Sequence, residues 1–214
     1  MNNKVIAIDG PAGAGKSTIA RKLADMLGYT YVDSGAMYRA LTLKLLKEKV
    51  NFRDTGAIIT ITEKADIDFI NNSIYLDGVI VDREIREEDV NRNVSCVAAI
   101  PEVRRIMVDL QRKVSKNKNV VMDGRDVGTV IFPEADYKFF ITASVQERAE
   151  RRYKEILQRG YSADINDIKA QIENRDHIDS TRCDSPLKKA DNAICIETTG
   201  KNIDEVMREV LSYI

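Results

Sequence analysis

An excess of charge of either sign is what this 214-residue sequence lacks first, since 33 Lys and Arg stand against 34 Asp and Glu. That balance argues against a chain built to coat nucleic acid or an anionic membrane, so any basic site has to be local. Cysteine is scarce. Cys96, Cys183 and Cys195 are odd in number, widely spaced and without a C-x-x-C pair, which excludes a disulfide framework and a thiolate metal site and predicts reduced thiols. The single histidine, His177, has no partner pattern for metal or triad chemistry and reads as a solvated loop residue. No apolar run approaches membrane-spanning length, and Met1-Asn2-Asn3-Lys4 leads into a candidate strand without a signal-peptide core. A cytoplasmic protein without membrane or nucleic-acid partners is expected. Internal repeats, low-complexity tracts and separable linkers are missing as well.

What is present is enough for a substantial core: 43% of residues are hydrophobic, in a length that suits one α/β domain with an inserted part. The stretch from Val5 to Thr18 organises the rest. Val5-Ile6-Ala7-Ile8 supplies a buried strand, and Gly10, Gly15, Lys16 and Ser17 stand at the spacing G-x-x-x-x-G-K-[ST] of a phosphate-binding loop. The loop Gly10-Pro11-Ala12-Gly13-Ala14-Gly15 can turn backbone N–H groups onto phosphate oxygens, and the dipole of the helix that follows adds positive potential. Lys16 brings a mobile charge to the β- and γ-phosphates of ATP. Ser17, with Thr18 beside it, offers a hydroxyl to Mg²⁺.

Apolar residues at Ile19, Ala20, Leu23, Ala24 and Leu27 predict a helix over 16–27 that stops at Gly28. Tyr29 to Val32 follows as a strand, and a second helix is predicted from Ala36 to about Lys49. Asp33, Ser34, Tyr38 and Arg39 therefore fall at the carboxyl end of a strand, where open parallel sheets bind ligands; capping and solvation are the equally weighted alternative. The runs 67–70, 73–76 and 79–81, joined by Asn71-Asn72 and Asp77-Gly78, read as a three-stranded antiparallel meander inside an insertion over about 41–99. The chain returns through a helix from Pro101, then a strand over 119–122 ending in Asp123-Gly124-Arg125-Asp126. A carboxylate there is placed to reach the water shell of Mg²⁺, and Arg125 to fork onto a phosphate.

A further strand covers 137–142, and Ser144-x-x-Glu147 predicts a capping box for a helix that ends at Arg159 and carries Arg148, Arg151 and Arg152. Arg151 and Arg152 are the candidates for charge neutralisation on a triphosphate; the arginines of this helix share a face only in part, so some of them are expected in solvent. A helix over about 164–175 is followed by a polar run to Arg182 that reads as a mobile segment. The last strand covers 193–197, and Asn202-x-x-Glu205 caps a terminal helix. The predicted fold is a doubly wound parallel α/β sheet, with core segments 1–40, 100–149 and 183–214, an insert over 41–99 and a helical lid over 150–182.

Four segments in this order, IDGPAGAGKST, DSGAMYRA, DGRDVGTVIFPEA and RDHIDSTR, resemble the bacterial cytidylate kinase family over nearly the whole chain. The resemblance implies phosphoryl transfer from ATP to CMP or dCMP with Mg²⁺, by a monomer. It places the monophosphate site on Asp33, Ser34, Tyr38, Arg39, Ser95, Arg104, Arg125, Asp126, Arg175, Asp179 and Arg182. Catalytic roles then fall to Lys16, Asp123, Arg125, Arg151 and Arg152, and the metal to Ser17. Another small P-loop kinase would leave the meander and the RD…D…R run unexpected. A GTPase switch is disfavoured because no N-K-x-D motif is evident and Asp126-Val127-Gly128 lacks the D-x-x-G spacing.

Overall fold

A computed structural model describes residues 3–70, 72–158 and 160–214. Met1 and Asn2, Asn71 of the first meander turn and Arg159 at the expected helix end lie outside the described residues. The chain alternates at first: β1 (Val5–Asp9), α1 (Lys16–Leu27), β2 (Thr30–Asp33) and α2 (Ser34–Lys47). Next come α3 (Thr55–Lys64), the strands β3 (Ile67–Ile70), β4 (Ser73–Leu76) and β5 (Val79–Ile80), and α4 (Glu88–Ala98). The remainder is α5 (Pro101–Val114), β6 (Val120–Gly124), β7 (Tyr137–Thr142), α6 (Val145–Gln158), α7 (Ile165–Thr181), β8 (Ile194–Glu197) and α8 (Ile203–Leu211).

Among the described residues, five strands form one parallel sheet in the order β2-β6-β1-β7-β8, with β1 at its centre. Parallel strands are covered on both faces, so their sequences run almost continuously apolar, and the two-residue alternation sorts them into two cores. Ala7, Val32, Val120 and Met122 face α2, α5 and the insert. Ile6, Ile8, Val121, Phe139 and Ile141 face α1 and α8. A third, small cluster of Ala149, Ile168 and Ile172 binds α6 to α7 alone.

The meander forms as expected, β3-β4-β5 antiparallel, with the Asp77-Gly78 turn at φ of 50° and 80°. Its apolar side, Phe69, Ile74 and Leu76, joins the same cluster as Val32 and Met122. The insert also holds α3 and α4, which the sequence reading did not assign. Asp54 caps α3 by accepting from the Ala57 N–H at 2.9 Å, and Val90, Val94 and Val97 are the buried stripe of α4.

Two expected boundaries move and one expected cap is incomplete. The second helix starts at Ser34 rather than Ala36 because the Asp33 carboxylate accepts the Ala36 N–H at 2.8 Å. The capping box at Ser144 is half made: Ser144 Oγ accepts the Glu147 N–H at 3.2 Å, but the Glu147 carboxylate turns to Arg151 instead. The run Arg175 to Arg182 is not the loop-like segment expected, since α7 continues through Thr181; Asp176, Asp179 and Arg182 find ionic partners inside the protein, and His177 is exposed on this helix rather than in a loop. By contrast the Asn202–Glu205 box closes in both directions, at 3.0 and 2.8 Å. Among the described residues, no helix is long and apolar enough to cross a membrane.

Gly10 marks where the fold touches the site. Its φ is +147°, and a Cβ there would lie 1.9 Å from the Ile141 carbonyl oxygen, a backbone atom in the middle of the sheet. The phosphate loop can leave β1 only because this side chain is missing. Gly10→Ala is expected to lower the free energy of unfolding by about 3 kcal/mol, measured by urea denaturation, from strained backbone and overpacking together. A loss under about 0.5 kcal/mol would show that the close approach to Ile141 relaxes freely.

Candidate active site

The C-terminal ends of β1, β2 and β6 open into a cavity of about 1200 Å³, bounded by the phosphate loop, the start of α2, the end of α4, and α6 and α7. This is the strand edge at which doubly wound sheets bind ligands. One half belongs to the loop. Gly15 precedes α1 at φ +89°, Gly13 sits at +76°, and Gly13, Ser17 and Thr18 are exposed to the cavity while Pro11, Ala12 and Ala14 are buried beneath. Lys16 is only 5% exposed; its Nζ donates to the Pro11 carbonyl at 2.7 Å. Burial, and then the nearby Arg125 guanidinium, push the Lys16 ammonium well below the usual lysine range.

Asp123, last but one in β6, gathers the polar groups at the loop's mouth. Ser17 Oγ donates to one carboxylate oxygen and the Tyr31 hydroxyl to the other, both at 2.8 Å, while Ser34 Oγ donates to the Asp123 carbonyl at 2.7 Å. Burial, and then the charge of Asp33, raise the Asp123 carboxyl. Gly124 has to follow it, because a Cβ there would fall 2.5 Å from Ser34 Oγ. Asp33 does two things: it caps α2 and it lines the cavity, so the capping reading was right for one of its oxygens.

The other half is walled by ion pairs. Arg104 of α5 is 2% exposed, bonds to the Asp126 carboxylate, donates to the Ala98 carbonyl at 3.1 Å and lies 5.6 Å from the Tyr38 ring centroid. Arg182 approaches the same Asp126 at 3.7 Å, and Arg125 Nε donates to Asp179 at 2.8 Å. Tyr38 is buried and Ser95 half-buried on this wall. Between the halves stand cations that repel one another. Arg175, with an Nε that has no hydrogen-bond partner, is lowered to about 9 by burial and then by Arg125 and Arg39. Arg152 is lowered by burial and then by Arg39. Arg151 is held more firmly, donating to Glu147 at 3.0 Å and to the hydroxyl and carbonyl of Thr198 at 3.1 and 2.8 Å.

All of the sequence-predicted site residues thus meet at one cavity or in the loop that floors it. Four residues that serve the site were not identified from sequence. Asp9, 5% exposed, accepts the N–H groups of Val127 and Gly128 at 2.8 and 2.7 Å and so fixes the turn that follows Asp126. Its signal was an acid ending a buried strand just before the loop glycine. Tyr31 orients Asp123, and its place in a strand looked like plain core. Arg148 and Asp176 pair beneath the loop; spacing singles out neither, and Asp176 falls in the run read as a mobile segment.

The family model for cytidylate kinase matches residues 6–214 of this chain. The chain is 51% identical over 214 residues to the cytidylate kinase of Clostridioides difficile (strain 630), covering 100% of this chain and 99% of that protein. It is 52% identical over 211 residues to the cytidylate kinase of Alkaliphilus metalliredigens (strain QYMF), covering 99% and 96%. An uncharacterized protein from Eubacterium ventriosum ATCC 27560 shares the fold at a TM-score of 0.54 and 14% identity, over 99% of this chain and 98% of that one.

The Asp9 carboxyl is raised from 3.8 to about 6, chiefly by burial, against the two backbone donors. A raised folded pKa means that the protein holds the proton more tightly than the unfolded chain does. Its contribution to stability is complete below about 3.8 and is lost as pH rises through about 6. The stability of the protein relative to Asp9→Asn is therefore expected to fall by about 2 kcal/mol between pH 4.5 and 7. Urea denaturation of both proteins at the two pH values measures this. A difference that is flat with pH would place the Asp9 carboxyl at its ordinary value.

Proposed function

The chain belongs to the cytidylate kinase family, a P-loop nucleoside monophosphate kinase that uses ATP, and we propose that it transfers the γ-phosphoryl of ATP to CMP or dCMP, giving CDP or dCDP and ADP. The observation that carries the reading is the meeting of two unlike half-sites. A loop of backbone donors with a buried lysine opposes a pocket of paired Arg and Asp, and Arg39, Arg125, Arg152 and Arg175 are crowded between them. Like charges this close destabilise the free protein and suit a ligand pair that brings several negative charges at once.

In this reading the acceptor phosphate, held by Arg39 and Arg125, directs an oxygen at the γ-phosphorus. The new O–P bond forms as the bond to the bridging oxygen breaks, and that electron pair leaves with ADP. No protein nucleophile is needed. Lys16, the loop N–H groups, Arg151 and Arg152 offset the charge spread over the transferred group, and Arg175 and Asp179 hold the acceptor sugar. The insert over 41–99 contributes Ser95 to the acceptor's base wall, and the lid over 150–182 closes on the donor to exclude water that would otherwise be phosphorylated.

Among the described residues no three His, Cys, Asp or Glu are grouped to hold a metal. Mg²⁺ needs no such cage, because it keeps most of its water and takes one or two protein oxygens beside the phosphates. Ser17 Oγ and the Asp123 carboxylate are oxygens of that kind, side by side at 2.8 Å. When bound there, the ion would supply charge neutralisation across the β- and γ-oxygens.

Cytosine presents an N4 amine to a carboxylate and acceptors at N3 and O2 to Arg or Ser, whereas uracil reverses the first and the N3 contact. Asp126, Arg104 and Ser95 line the wall that would meet this edge, and Arg104 Nε has no hydrogen-bond partner.

Lys16→Ala is expected to lower kcat by roughly a thousandfold with ATP and CMP while the thermal transition is kept, since the lost charge acts most on the separating phosphoryl group. Near-normal turnover would remove Lys16 from the donor site. For the base, kcat/KM with CMP should exceed that with UMP by roughly tenfold to a few hundredfold, because a mismatched edge leaves buried polar groups unpaired. In Asp126→Asn the ratio should shrink, an amide being able to donate to O4. If the ratio is the same in a folded variant, Asp126 does not read the base.

A further inference from the structure

We propose that Arg148 and Asp176 form a positioning pair that couples the acceptor pocket to the phosphate loop, so that each nucleotide tightens the binding of the other. The inference rests on the two-nucleotide reading above but concerns residues that neither nucleotide touches in it. Arg175 and Asp179 of α7 and Arg182 at its C-cap recur at i, i+4 and i+7 and line the cavity, while Asp176 stands a quarter turn or so round the helix. Asp176 turns to the loop instead. One of its oxygens accepts from Arg148 Nη1 at 2.6 Å and the other from the Ala12 N–H at 3.4 Å.

Arg148 completes the clamp from α6. Its side chain is only 5% exposed, Nη1 also donates to the Ala12 carbonyl at 3.1 Å, and Nε donates to the Ala143 carbonyl at 2.9 Å. A trans peptide is planar, so fixing the Ala12 carbonyl fixes the Gly13 N–H in the opposite direction, away from Arg148. Gly13 is packed hard against this clamp, since a Cβ there would lie 3.3 Å from Arg148 Cβ. The pair thus sets the orientation of a loop peptide without reaching the cavity itself.

The far end of the linkage is the acceptor side. α7 is tied there by the Arg125–Asp179 bond at 2.8 Å and by Arg182 between Asp126 and Asp179 at 3.7 and 3.9 Å. An acceptor phosphate that takes up Arg125 weakens its hold on Asp179, and a hydrogen-bonded helix responds as a body. α6 and α7 share their own small core of Ala149, Ile168 and Ile172, so the response reaches Arg148 and Asp176 together. The same change at Ala12 and Gly13 alters how well the loop fits a triphosphate. Reciprocity then requires the donor to tighten the acceptor by the same factor.

The test is calorimetric titration of a non-hydrolysable ATP analogue into the free and the CMP-saturated protein, and of CMP into the free and the analogue-saturated protein. The expected result is a coupling factor of roughly 5 to 50, equal in both orders. In Asp176→Asn and Arg148→Lys the factor should fall to within about twofold of unity, because a single ammonium cannot span Ala12, Ala143 and Asp176 at once. CMP affinity in the absence of the analogue should stay within about twofold in both variants. A pair that merely supported the fold would weaken analogue binding by the same factor with and without CMP. Coupling retained in Asp176→Asn with an unchanged thermal transition, or no coupling in the wild type, would overturn the proposal. Failure of CMP to bind, with another monophosphate binding in its place, would overturn the acceptor assignment instead. The coupling would then be measured with that monophosphate.

Discussion

Cations that repel one another are the constraint on which the rest of this structure depends. Lys16, Arg39, Arg125, Arg152 and Arg175 approach closely enough for burial and mutual repulsion to lower Lys16, Arg152 and Arg175. Nothing in such a cluster favours folding. It is held by elements whose own stability comes from elsewhere: the central strand β1 with a core on each face, and α6 and α7 with a third. The carboxylates are placed as local counterweights. Asp179 steadies Arg125, Asp126 steadies Arg104, and Asp176 steadies Arg148, each at a point where an arginine has to be aimed.

That division explains what was legible in the sequence. The phosphate loop, α1, the parallel strands and the meander announce themselves through local rules of glycine placement, apolar alternation and capping, all of which hold whatever the rest of the chain does. α3 does not, because its sequence TGAIITITEK is rich in β-branched residues; only the Asp54 cap and packing against α5 make it helical. The end of α7 failed for a related reason. A polar run with few core candidates looks like solvated loop, but its Asp179, Arg182 and Asp176 are partnered by Arg125, Asp126 and the phosphate loop, segments remote from it in sequence.

Among the arginines of α6 the same limit appears. Helical spacing separates faces but does not say what faces them. Arg148, which spacing does not single out, is buried under the loop, whereas Arg151 and Arg152 remain at the cavity. Asp9 was invisible for want of any nearby partner in sequence, its two donors lying on the far side of β6. In each case the missing information is a contact between segments more than a hundred residues apart or across the sheet, and no periodicity within either segment encodes it.

The two walls of the cavity also differ in how their arginines are held, and the difference follows from what each would contact. Reading an uncharged base edge requires a guanidinium whose direction is fixed before the ligand arrives, and the burial of Arg104 and its bonds to Asp126 and the Ala98 carbonyl would meet that requirement in the proposed function. A carboxylate partner costs little there, because a base brings no negative charge to compete with it. Holding a phosphoryl group makes the opposite demand. A carboxylate beside every cation would cancel the field that attracts the phosphates and would have to be displaced on binding. Arg39 and Arg152 stand where other cations are the dominant charges. Lys16 stands apart from both patterns: its ammonium lies against the Pro11 carbonyl, and in the proposed reaction its flexible stem would let it leave that carbonyl and follow a moving phosphoryl group, which a rigid fork could not do.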